Sequence, residues 1–167
     1  MRKMLLLWLL MSAPLAHGAE GTAAYGLTSF VGVWDCQAFI NPELSIYFTF
    51  TAEKLSDSYL AVDYLQVKTD AAQPYQSKGI WGINSFNGQY FRQVFTNANG
   101  TDLGHSSGFQ GDTMVWEGNS QFQGKPTEYQ STFVMLDSHH YKTSFRQRVL
   151  QPAGEWADGE KLECIKR

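Results

Sequence analysis

Metal-binding and redox side chains are scarce in this chain, whose 167 residues include 4 His and 2 Cys. His17 falls in the N-terminal leader, and His105 stands alone in a Gly/Ser-rich stretch. His139 and His140 are adjacent, so on a strand they point to opposite faces and form no joint site. No His-x-x-x-His or Cys-x-x-Cys spacing occurs, which argues against zinc; no metal and no cofactor is expected. A Gly-x-Ser-x-Gly elbow, a phosphate-binding loop and a dinucleotide fingerprint are also missing. Basic residues are in the minority, with 13 Lys+Arg against 16 Asp+Glu. Without Arg2 and Lys3, 11 of those 13 remain. Nucleic acid and anionic membranes both require basic patches, so neither is expected as a partner.

What is present begins with a leader. Arg2 and Lys3 precede an apolar run, Met4–Met11, which Pro14 ends. Ala16-His17-Gly18-Ala19 offers small residues for cleavage. The run is too short to span a bilayer, which takes about 20 residues. Residues 1–19 therefore read as a secretory signal, and the mature chain as exported, periplasmic or extracellular, with no stable membrane insertion. Residues 20–28 read as a flexible lead-in and residues 29–167 as one domain. Export favours a disulfide between the two cysteines, Cys36 and Cys164.

Aromatic and β-branched runs punctuated by Gly and Asn dominate the mature chain, with 11 Phe, 8 Tyr and 5 Trp in the whole sequence. Strands are expected over about 30–39, 44–51, 59–67, 79–85, 90–96 and 103–110. Others follow over 113–117, 120–123, 127–136, 140–149 and 160–166. Phe86-Asn87-Gly88-Gln89 carries a type I′ hairpin signal. Gly118-Asn119 reads as a turn, and Thr69–Gln76 as the longest polar connection. The expected fold is all-β: a single antiparallel up-and-down barrel of about 8–10 strands. A Cys36–Cys164 bond would make the first and last strands neighbours, because bonded cysteines need Cα atoms within about 7 Å.

The Gly32-x-Trp34 opening resembles the start of lipocalins and related calycin barrels, in which the Trp plugs the closed end. Gly79-Ile80-Trp81-Gly82, Phe91–Asn97 and Gly111–Gly118 extend the likeness to an uncharacterised family of bacterial lipocalin-like barrels. The resemblance implies the fold and brings no activity with it.

Polar groups on inward registers are the candidates for chemistry. Gln93 shares a face with Phe95, and Gln147 shares one with Tyr141 and Phe145. Tyr129 and Phe133 share another, and Asp63 is grouped with Tyr59. The expected ligand-binding set is thus Tyr59, Gln93, Phe95, Tyr129, Phe133, Tyr141, Phe145 and Gln147. An inward Asp63 would have a raised pKa and could act as a general acid or base, with Tyr64 beside it as a second catalytic candidate. The structural alternative is a filled core in which these groups satisfy one another. The leading functional reading is a barrel that binds a small, mostly apolar molecule. The alternatives are a cyclase or isomerase without a recognisable motif, and a filled barrel that binds another protein through its surface or loops.

Overall fold

The computed structural model describes residues 25–41, 44–67, 73–122 and 124–167. The expected secretory signal and the first part of the expected lead-in lie outside the described residues, as does the first half of the Thr69–Gln76 connection. A short 3-10 helix, Leu27–Phe30, is followed by eleven strands: β1 (Gly32–Asn41), β2 (Leu44–Ser56), β3 (Tyr59–Val67), β4 (Gln76–Ile83), β5 (Tyr90–Thr96), β6 (Gly100–Ser106), β7 (Phe109–Gln110), β8 (Thr113–Phe122), β9 (Lys125–Asp137), β10 (His140–Val149) and β11 (Ala157–Lys166).

Each strand pairs antiparallel with its neighbour in sequence, except where the two-residue β7 folds back on β8 and leaves β6 to pair with β8. β1 also pairs with β11. Ten strands therefore form a closed, up-and-down ring with no unpaired edge. Cys36 lies directly opposite Cys164 in the β1–β11 ladder, and the two are bonded, with Cα atoms 4.1 Å apart. The first and last strands are thus covalently joined on the inner face.

The inner face follows the two-residue strand period. On β9, Thr127, Tyr129, Ser131, Phe133 and Met135 are buried, while the residues between them are not. One end of the ring is plugged. Phe30 is fully buried and meets the rings of Trp81, Phe109, Phe133 and Tyr141. Trp34 Nε1 donates to the Phe30 carbonyl at 2.8 Å, fixing the 3-10 turn beneath the barrel. Leu27 is buried as well, and Tyr25 packs against the core. The packed chain therefore begins ahead of the boundary expected at residue 28, because the lead-in carries apolar side chains that only the barrel's end can bury. Phe30 belongs to this plug and not to the first strand.

Three local expectations change. Gly118-Asn119 is not a turn, and β8 runs through it. Gly118 faces Gly104 across the β6–β8 seam, and a Cβ there would lie 2.0 Å from the Leu103 carbonyl oxygen. The glycine permits close strand approach. Asn87-Gly88 does not form a two-residue type I′ turn: only Gly88 has positive φ, and its N–H donates to the Asn84 carbonyl at 2.8 Å in a longer loop. Finally, the chain enters β4 at Gln76, ahead of the expected Gly79, because Gln76 N–H is tied to Asn97 Oδ1 at 3.0 Å.

Candidate functional site

The strand registers decide which side chains reach the lumen. On β3 the buried residues are Leu60 and Val62, and Tyr64 follows them inward. Tyr59 and Asp63 therefore face out, contrary to the sequence expectation. Tyr59 is 39 % exposed. Asp63 accepts both of its hydrogen bonds from Gln76 Nε2 at 3.2 Å and pairs with Lys78 at 3.1 Å on the outer surface. Both faces of this strand carry apolar residues, and a one-residue slip exchanges them. On β5 the inward residues are Arg92 and Val94, so Gln93 and Phe95 also point outward, Phe95 being 53 % exposed. The tripeptide Phe-Arg-Gln occurs twice with opposite facing. At 91–93 the Arg is inside; at 145–147 Phe145 and Gln147 are.

Above the plug the lumen stays open as a cavity of about 290 Å³, near the small end of the range for ligand pockets, about 300–1,000 Å³. Aromatic rings surround it, among them Phe48, Tyr64, Trp81 and Phe133 from the strands and Tyr75 from the segment just ahead of β4. Tyr141, Phe145 and Gln147 also line it, as expected from the sequence. Tyr64 and Phe50 stack at 4.4 Å, and Phe133 and Tyr141 at 5.8 Å, so the rings hold one another in place. Tyr141 Oη lies 3.8 Å from Cys36 Sγ. Burial pushes the hydroxyls of Tyr64 and Tyr141 above the ordinary tyrosine range, so both stay neutral at physiological pH.

A buried charged group is set into this apolar wall. Arg92, 8 % exposed, donates from Nη2 to Asp102 Oδ2 at 2.8 Å and from Nε to Asp102 Oδ1 at 3.2 Å. Tyr129 Oη donates to Asp102 Oδ1 at 2.6 Å and accepts from Arg92 Nε at 3.1 Å. The guanidinium also lies over the Tyr129 ring at 4.8 Å and the Trp116 ring at 5.4 Å. Burial opposes the Arg92 charge, but Asp102 outweighs it and holds the guanidinium above its ordinary value. Tyr129 stands behind Arg92 and Asp102, which line the cavity where it does not. Its hydroxyl occupies the space left by Gly104, where a Cβ would lie 2.1 Å away.

Glu160 enters the lumen near its mouth, from β11. Water reaches it through the opening, yet the barrel wall surrounds it, and this burial raises its carboxyl above the ordinary value. Sequence reasoning missed Arg92, Asp102 and Glu160. A charge on a strand does not by itself reveal an inward face, and the available signal for Arg92 was that its register also carries Tyr90 and Val94. Among the described residues no group of three His, Cys, Asp or Glu is placed to hold a metal ion, and no helix is long and apolar enough to cross a membrane.

A scan of known protein families finds none that matches this chain, and no curated protein matches it. Solved structures do. Rv2717c from M. tuberculosis superposes with a TM-score of 0.65 at 12 % identity, covering 84 % of this chain and 94 % of that one. Two redesigned β-barrels are more distant. One, b11L5F_LGL, has a TM-score of 0.46 at 10 % identity, covering 84 % of this chain and 93 % of its own. The other, mFAP1 bound to DFHBI, has a TM-score of 0.42 at 11 % identity, covering 84 % and 96 %. The likeness to Rv2717c extends over nearly all of that protein and is one of fold: a closed antiparallel β-barrel.

Proposed function

We propose that this chain is an exported binding protein whose barrel lumen holds a small, mostly apolar molecule. The observation that carries the reading is the open, aromatic-lined cavity above a packed plug, with a few fixed polar groups in its wall. Such a combination supplies apolar contact area and a small number of orienting hydrogen bonds. A filled barrel acting only through its surface would have had no reason to keep that volume open. Export is supported by the leader composition and by the bonded cysteines, which persist in oxidising compartments. The lipocalin resemblance fits this role in arrangement: Trp34 lies at the plugged end, while ten strands close the ring where lipocalins use eight.

A catalytic role is the weaker reading. Asp63, its main candidate, lies on the outer surface, and Tyr64 alone of the two reaches the lumen. Native mass spectrometry of the gently purified mature protein tests the proposal. The expected result is an added small-molecule mass that denaturation removes and that a lumen-filling Ser131→Phe variant of unchanged melting temperature lacks. A wild-type protein that folds normally yet takes up no small molecule from the host extract would overturn it. The same spectrum reads export, since the mature mass should begin after Gly18 or Ala19.

A further inference from the structure

The lumen wall is unevenly charged. Arg92 and Asp102 neutralise each other on β5 and β6. Glu160 comes from β11, halfway round the ring from β5, on the opposite wall. No hydrogen bond or ion pair joins Glu160 to another described residue, and burial is the sole influence on its carboxyl. Among the described residues lining the cavity, the other ionisable groups are the tyrosines, Tyr64, Tyr75 and Tyr141. Burial raises the hydroxyls of all three, which keeps them uncharged. The space between the walls therefore faces one uncompensated carboxylate, set among rings whose faces attract cations. Water reaches this carboxylate at the mouth, but the apolar wall on its inner side focuses its field into the lumen and strengthens its attraction for a counter-charge there.

We propose, resting on the lumen being a ligand site, that its ligand is a small arylalkylamine-type cation whose ammonium faces Glu160 and whose ring lies against Tyr64, Tyr75 and Phe145. An anionic ligand is disfavoured, since Arg92 already spends its charge on Asp102 and Glu160 would repel it. A neutral ligand leaves the Glu160 charge without a partner.

Three indoles that differ only in the head group test this by titration calorimetry: tryptamine (cation), tryptophol (neutral) and indole-3-propionate (anion). The expected result is that tryptamine binds about tenfold or more tightly than tryptophol, the value of one charge-assisted contact. Indole-3-propionate should bind weakest. Glu160→Gln should reduce the tryptamine advantage to less than about twofold. Glu160→Asp, which keeps the charge, should retain most of it. Equal affinity for tryptamine and tryptophol, or a preference that survives in Glu160→Gln, would overturn the cation inference and leave the lumen reading intact. If none of the three binds and the protein also carries no small molecule in native spectra, the lumen reading falls and takes the inference with it.

Discussion

Removing the Asp102 carboxylate isolates the least expected part of the lumen. The Arg92 side chain is 9 % exposed and that of Asp102 is 20 % exposed. Asp102→Ala would leave a nearly buried guanidinium facing two rings with no counter-charge, and would strip Tyr129 Oη of its 2.6 Å acceptor. Breaking a buried pair from one side is worth about 3–5 kcal/mol, and the partial exposure of Asp102 puts this case near about 3 kcal/mol. For a domain of this size that lowers Tm by roughly 6–12 °C. Circular dichroism melts and urea titrations at neutral pH read the change. The companion is Arg92→Met, Asp102→Leu, Tyr129→Phe, which removes all three polar groups together and should recover most of the loss, because no buried charge is left unpaired. An Asp102→Ala variant within about 0.5 kcal/mol of wild type would refute the reasoning, since surface changes fall in that range. So would a triple variant no more stable than the single one.

Other perturbations report on other parts of the barrel. Replacing both cysteines with alanine removes a link across a sequence separation of 128. In the chain-entropy account this lowers unfolding free energy by about 5 kcal/mol, measured by urea titration of the oxidised wild type against the variant. Phe30→Ala empties the centre of the plug and should destabilise by about 3–5 kcal/mol in the same assay. Glu160→Gln should raise the melting temperature at neutral pH. The folded carboxyl sits above its ordinary 4.5, so the native state holds its proton more tightly and loses stability as pH rises through that raised value. The gap between variant and wild type should vanish in acid well below 4.5, and a gap that grows in acid would contradict the sign. Its size is limited by the water that reaches Glu160 through the mouth.

Closure and the covalent seam were readable from residues because they depend on patterns that sum over many positions. Alternation in β9 and β10, whose Tyr and Phe residues all fall on one face, placed Tyr129, Phe133, Tyr141 and Phe145 on the inner face. β3 and β5 misled because neither face is clearly polar. Tyr59, Leu65 and Phe95 are large apolar residues left on the outside, and Arg92 is a charge buried inside. The partners brought by β6 and β9, Asp102 and Tyr129, make that burial tolerable, and which face they share with Arg92 depends on strand register and ring closure. Gly118 was misread for a related reason: a glycine that lets two strands approach and a glycine that turns a chain look alike until the facing strand is known. The open upper lumen was the least accessible feature, since it depends on how the inner side chains divide the space and not on which residues they are.

The central claim is that the lumen above the plug takes up a small molecule. The most direct test is a 1H–15N NMR titration of the mature protein with a panel of small aromatic amines, alcohols and acids. The account predicts saturable shifts confined to lumen-lining residues such as Ser77, Arg92, Ser131 and Thr143, with outer-face residues such as Gln93 and Asp63 unmoved. Shifts restricted to the outer face, or a lumen indifferent to every member of the panel at millimolar concentration, would contradict it.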